Sequence, residues 1–174
     1  YWGNLKKVKD SENDSILIEY HPGKTVASVR CPETGDAMGL SYDTLTRTTS
    51  ITDSLIASPD QTTLYVYDSL SNLEEIVNAD LTFRSFTYDS LFNIQTFTNE
   101  NGHAWTFSWD TLGNLLSGTN PDSATWTIDR DPYFSFISTY TDPNGISTDY
   151  FYDEYGNLDS IVDYAGEREE FTYD

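Results

Sequence analysis

The side chains best suited to chemistry in this 174-residue sequence are two histidines, a run of glutamates and one cysteine. His21 and His103 would act as general bases only with a hydrogen-bonding partner in reach. Both stand in turn segments, His21 before Pro22-Gly23 and His103 after Asn101-Gly102. Glu167, Glu169 and Glu170 would offer the paired carboxylates of a glycosidase. They alternate along an extended segment, with Glu169 on the face of Phe171 and Glu170 on the other, which is the pattern of a solvated strand or charged sheet edge. Asn99-Glu100-Asn101-Gly102 and Asp142-Pro143-Asn144-Gly145 would present oxygens to Ca²⁺, a weak candidate cofactor. They lack the full acidic spacing of a calcium loop and read as turns. Cys31 cannot pair within the chain, so it is a small, partly buried residue or an intermolecular link. G-x-S-x-G, H-E-x-x-H and Gly-rich phosphate loops are missing from the sequence. These residues assemble no catalytic constellation, and the expectation is a non-enzyme. Trp105, Phe107 and Trp109 share one strand face. Trp105 is the candidate for a surface stacking site, for a sugar ring or a partner.

Composition narrows the partners. Acidic residues number 29 against 9 basic ones, for a net charge of −20. A nucleic-acid binder must neutralise phosphates with Lys and Arg, and anionic membranes repel such a chain. The charge keeps the chain soluble. No apolar run approaches the ~20 residues that span a bilayer. Aromatics make up 15% and favour pleated strands, while Ala, Leu, Lys and Glu never cluster at helical spacing. The acidic, Tyr/Thr/Ser-rich, Lys-poor composition is that of an extracellular, exported protein.

The elements that would position these residues are set by a repeat. Tyr-Asp pairs occur at Tyr42-Asp43, Tyr67-Asp68, Tyr88-Asp89, Tyr152-Asp153 and Tyr173-Asp174. Trp109-Asp110, Ile128-Asp129 and Tyr20-His21 fill the gaps. The second residue of each pair, here the anchor, recurs at steps of 19 to 25 residues. One and three places before the anchor all residues are apolar or aromatic, so both places lie on one strand face. Five places after come Val26, Thr48, Leu73, Ile94, Leu115, Phe134 and Leu158. Eight places after come Val29, Ile51, Ile76, Phe97, Gly118, Ile137 and Ile161. Only Thr48 and Gly118 break these columns. A spacing of three changes strand face, which places a bulge or bend between them.

Turn chemistry joins the strands. Asn follows the anchor by four at Asn72, Asn93, Asn114 and Asn157, with Gly113 and Gly156 directly before the last two. The anchor Asp would accept backbone N–H groups, and Gly and Asn would supply positive φ. The second turn of each unit is looser, marked by Asn101-Gly102, Pro143-Asn144-Gly145 and Ala165-Gly166. About eight units, each turn–strand–turn–strand, give an all-β chain of tandem antiparallel hairpins over residues 1–174. Counted backward, Gly3-Asn4-Leu5 and Val8 take the columns of Gly156-Asn157-Leu158 and Ile161. The array is thus expected to be a segment of a longer one. Further copies would join head to tail, Asp174 of one beside Tyr1 of the next.

Trp109-Asp110-Thr111-Leu112-Gly113-Asn114-Leu115 and Tyr152-Asp153-Glu154-Tyr155-Gly156-Asn157-Leu158 closely resemble the RHS or tyrosine-aspartate (YD) repeat family. The resemblance runs the whole chain, with degenerate units at Asp129-Arg130-Asp131-Pro132 and His21-Pro22-Gly23. It implies a continuous sheet spiralling around a hollow shell, as in bacterial polymorphic toxins, toxin complexes and the teneurin ectodomain. The self-cleaving segment of toxin-bearing members has no match here. The functional expectation is a section of extracellular fibre, stalk or shell. The alternative is an adhesion module for a glycan or cell-surface partner, or part of a toxin-enclosing cocoon.

Overall fold

The computed structural model describes residues 4–12, 14–54 and 59–174, and the only regular elements among them are β-strands. The expected contact of Tyr1 with Asp174, and the place given to Gly3, lie outside the described residues. Seven strands fall in the first compact unit, Tyr1–Ser85. They are β1 (Lys7–Lys9), β2 (Ser15–Tyr20), β3 (Val26–Arg30), β4 (Ala37–Asp43), β5 (Thr48–Ser54), β6 (Gln61–Tyr67) and β7 (Leu73–Val77). β8 (Phe83–Tyr88) contains the boundary. The second unit, Phe86–Asp174, continues with β9 (Ile94–Thr98), β10 (Ala104–Trp109), β11 (Leu115–Thr119) and β12 (Thr125–Arg130). It ends with β13 (Ile137–Thr141), β14 (Ser147–Tyr152), β15 (Leu158–Val162) and β16 (Arg168–Glu170). Sheet order equals chain order from β1 to β16, and neighbours pair antiparallel. Sequential strands are therefore sheet neighbours, as the repeat requires.

The bulge inferred from the columns is present. Tyr152 pairs with Leu158 while Phe151 pairs with Ser160, so Asp159 has no partner in β14. The same slip precedes Tyr20, Tyr67 and Trp109. It turns residues five and eight places after the anchor to the same face. The β4–β5 pair has no slip and runs in register from Ala37↔Ser54 to Asp43↔Thr48. Without the bulge, Thr48 faces the other way, which explains its polar side chain in an apolar column. Gly118 has a different cause. It pairs with Trp126, and a Cβ at Gly118 would lie 2.3 Å from the Trp126 ring. The column yields its side chain so that the indole can lie across the strand.

Aromatic side chains line one face but do not make the buried core that their number suggests. No hydrophobic side chain among the described residues is fully buried. The reason is that a single sheet layer covers this face only with its own neighbours. Rings stack across strands instead: Phe86 on Phe97 and Phe97 on Trp105, each at 5.4 Å, and Trp126 against Tyr140 at 6.3 Å. Such pairs contribute about 0.5–1.5 kcal/mol each beyond area burial. On the opposite face hydroxyls pair across strands, Ser108 with Ser117 at 2.6 Å and Thr119 with Thr125 at 2.8 Å. Replacing Gly118 with Ala is predicted to cost about 1–3 kcal/mol by overpacking against Trp126. Chemical denaturation measures this, and a neutral result would contradict the assigned cause.

Candidate functional site

The recurring chemical unit is the anchor turn. The Asp110 N–H donates to the Asn114 carbonyl at 2.9 Å, and the Gly113 N–H donates to the Asp110 carbonyl at 3.1 Å. Asp110 Oδ1 accepts the N–H groups of Leu112 and Asn114, both at 2.8 Å, and Oδ2 accepts the Asn114 side-chain amide at 2.9 Å. Asp68, Asp89 and Asp153 repeat the arrangement with Asn72, Asn93 and Asn157. The residue before Asn is left-handed: Ser71, Phe92, Gly113 and Gly156 have φ of 71°, 67°, 82° and 84°. This is the three-residue hairpin loop whose third residue is left-handed. The role of Asn therefore differs from the expected one. It supplies no positive φ but an amide that holds the second carboxylate oxygen. That amide is the main reason all four anchor carboxyls lie below their ordinary value of 3.8.

The second turns are not looser. Asn99 Oδ1 accepts from the N–H groups of Asn101 and His103, both at 3.0 Å, and Gly102 has φ 76°. Asn120, Asp142, Asp163 and Asp10 accept in the same way. Both ends of the hairpins thus use one device. The missed signal was an Asp or Asn ten places after the anchor, at Asn99, Asn120 and Asp163. The turn oxygens of Asn99 and Asp142, considered above for Ca²⁺, are engaged by these backbone donors.

A second recurring contact links successive hairpins. In several units the residue before the anchor sends its polar tip to the carbonyl fifteen residues earlier. Tyr20 Oη donates to Leu5 at 2.7 Å, Trp109 Nε1 to Ile94 at 2.7 Å, Tyr152 Oη to Ile137 at 2.9 Å and Tyr173 Oη to Leu158 at 2.9 Å. Arg130 Nη2 donates to Leu115 at 2.9 Å. Burial raises the Tyr152 phenol above 10.0, which keeps its donor proton.

Arg130 corrects one anchor. Ile128-Asp129 lies within β12, and the turn acid of this unit is Asp131, whose Oδ1 accepts from Tyr133 and Phe134. Its loop is one residue longer, closed by the Asp131 N–H on the Phe136 carbonyl, with Ser135 left-handed at φ 59°. Phe134 accordingly sits in the loop, stacked on Phe136 at 5.5 Å beside Gly156. Ile137 pairs with Arg130, and Tyr140, nine residues after Asp131 because of the longer loop, takes the place opposite Ile128.

The remaining candidates are dispersed. His21 takes the anchor place, with the same loop and Lys24 left-handed, and its Nε2 lies 3.1 Å from the Leu40 carbonyl. Asp43 Oδ1 accepts from Leu45 and Thr46 in a loop ending at left-handed Arg47, with Tyr42 exposed beside it. Cys31 is half-buried, with Sγ 3.5 Å from Glu33. Glu167 donates its N–H to Asp163, while Glu170 pairs with Arg168 at 3.0 Å on the exposed β16. Trp105 lies on the face of Phe107 and Trp109, half-buried and stacked on Phe97. Tyr67, Tyr88 and Asp174 keep their column places next to or at the anchors.

Two predictions follow from the turn and the tether. Tyr152→Phe keeps the ring and loses the donor, at a predicted cost of about 0.5–1.5 kcal/mol, whereas Arg130→Tyr restores the common residue and is near neutral. Denaturant midpoints of the two variants check this, and equal losses would refute the tether. Asp110→Asn keeps an acceptor but removes the charge. The folded carboxyl titrates below the unfolded one, so its stabilisation is complete above pH 3.8 and is lost as pH falls through the lower folded value. The stability gap between wild type and variant should therefore close on acidification, and a gap constant down to pH ~2 would contradict the assignment.

The family profile "Teneurin YD-shell" matches residues 3–174. No curated protein matches the sequence significantly. Among solved structures, a TcdB2-TccC3-Cdc42 crystal structure is similar with a TM-score of 0.53 and 13% identity, covering 91% of this chain. The Photorhabdus luminescens Tc holotoxin pore carrying TccC3-D651A is similar with a TM-score of 0.56, 13% identity and the same 91% coverage. TcdB2-TccC3 gives 0.52 and 12%. This chain spans 11% of the length of each of those chains.

Proposed function

Because this chain belongs to the Teneurin YD-shell family, a family of structural shells, we propose that it is a length of extracellular, non-enzymatic wall whose work is to enclose. The observation that carries the reading is where the polar chemistry goes. In the units of Trp109, Arg130 and Tyr152 the carboxylate closes a turn and the indole, guanidinium or phenol tip ties one hairpin to the one before. The repeat's own polar groups are spent on continuity of the sheet. The net charge of −20 suits a soluble exterior and gives no hold on nucleic acid. The solved structures of similar fold are toxin-complex chains, which favours a wall around a cargo over a fibre. An adhesion role through Trp105 has less support, because its indole is stacked on Phe97. Electron microscopy of the longest natural polypeptide that carries these residues tests the proposal. Hollow particles are expected, and solid particles or continuous filaments would overturn it.

A further inference from the structure

Tyr42 stands in the column before the anchor but makes no tether. Ser28 pairs with Gly39, so the register of β3 with β4 sets Thr25 opposite Tyr42. Counted the same way, Tyr152 stands opposite Phe136, and its phenol reaches the next carbonyl, that of Ile137. The corresponding acceptor for Tyr42 is the Val26 carbonyl. The Tyr42 side chain is instead 57% exposed, and it lines with Val26 an open cavity of about 550 Å³. Thr49 pairs with Tyr42 and also lines the cavity, where Tyr152 meets Leu158 at the same place. Without the slip, a hydroxyl stands there in place of an apolar side chain. His21 forms another wall, its Nε2 donating to the Leu40 carbonyl at 3.1 Å. With Nε2 as donor, Nδ1 is an acceptor. Thr25 and Ser41 complete the lining.

Three departures from the repeat thus meet at one place: His21 for an anchor Asp, Thr49 for an apolar residue, and an untied Tyr42. Sequences break their own local rules chiefly at functional sites. The cavity lies within the ~300–1,000 Å³ of small-molecule sites, which combine apolar walls with a few polar groups that fix orientation. Its chemistry narrows the ligand. No Lys, Arg, Asp or Glu is among its described lining residues, although the chain carries −20. An anion is repelled by the chain as a whole, and a cation finds no counter-charge in the lining. Val26, Leu40 and the Tyr42 ring offer apolar surface, while hydroxyls of Thr25, Ser41 and Thr49 and the His21 imidazole offer donors and acceptors. A pyranose ring has this same division, with C–H groups on one face and hydroxyls around its edge.

We propose that this unfilled tether socket is a binding site for one neutral sugar ring. Tyr42 stacks on the apolar face of the ring with the phenol that other units spend on a carbonyl. Thr49, Thr25 and the His21 Nδ1 take up its hydroxyls. The site goes beyond the reading of the chain as wall and does not rest on it.

The test uses the full 174-residue chain, isotope-labelled and titrated in separate runs with methyl glucoside, methyl galactoside, methyl mannoside, N-acetylglucosamine and sodium glucuronate. Amide resonances are followed up to the solubility of each sugar. At least one neutral sugar is expected to give saturable shifts centred on residues 21–26, 40–42 and 49, and glucuronate is expected to bind more weakly. Tyr42→Ala is expected to weaken binding about tenfold through the lost ring contact, with an unchanged unfolding midpoint. Thr49→Leu copies Leu158 opposite Tyr152, narrows the cavity and is expected to weaken binding without loss of stability. It decides the matter should Tyr42→Ala prove unstable. Trp105→Ala is expected to bind as wild type does. The absence of saturable shifts with every neutral sugar would overturn the site. So would full affinity in Thr49→Leu or in a folded Tyr42→Ala, tighter binding of glucuronate, or shifts centred on Trp105. None of these outcomes bears on whether the longer polypeptide forms a hollow particle.

Discussion

Cohesion in this protein comes from hydrogen bonds between one hairpin and the one before it, because a single sheet layer has no interior. Aromatic rings stack across strands yet remain partly wet, and no apolar side chain is sealed from solvent among the described residues. Area burial alone then gives little reason for consecutive hairpins to stay aligned. The backbone ladder between neighbouring strands supplies that alignment, and the donation from Tyr, Trp or Arg to a carbonyl fifteen residues back extends it toward the turn. That donation satisfies a backbone acceptor next to the bulge, where the ladder is locally interrupted.

The bulge, the turn and the tether depend on one another. The slip before Tyr152 brings Leu158 opposite it and ends the strand pairing one step from Asp153. Asp153 can then close its loop with both carboxylate oxygens occupied. The β4–β5 hairpin shows the cost of leaving the slip out. Its strands run straight, Thr48 replaces an apolar residue, and Arg47 replaces the amide donor. Stability in such arrays is approximately a sum of repeat and neighbour terms, so one irregular unit is tolerated where its neighbours are regular.

Much of this was readable from spacing. Apolar columns two apart gave the strand face, and an odd spacing of three gave the bulge. What escaped did so for physical reasons. The column before the anchor reads as hydrophobic, whereas what Tyr20, Trp109, Arg130, Tyr152 and Tyr173 share there is a polar tip on a long side chain. The clue was in the residue types: Tyr20, Tyr42, Tyr67, Tyr88, Trp109, Tyr152 and Tyr173 include no Phe, while Phe86, Phe107 and Phe171 occur three places before the anchor. A hydropathy criterion also preferred Ile128 to Arg130 and so set the anchor two residues early. Gly118 looked like a gap in a column, and only the position of the Trp126 ring explains it. The second turns looked irregular because Asp and Asn interchange there, although either can cap the same loop.

The tether also has a direction. In each observed case the donor is later in the chain than its acceptor, and the acceptor belongs to the preceding hairpin. A newly made hairpin can therefore fasten its predecessor without waiting for anything downstream. Chains emerge from the ribosome N-terminus first, and secretion commonly threads them in the same order. An array fastened backward in this way acts as a ratchet for vectorial folding. Only the newest hairpin is unsecured at any moment, and the order of synthesis is also the order of closure.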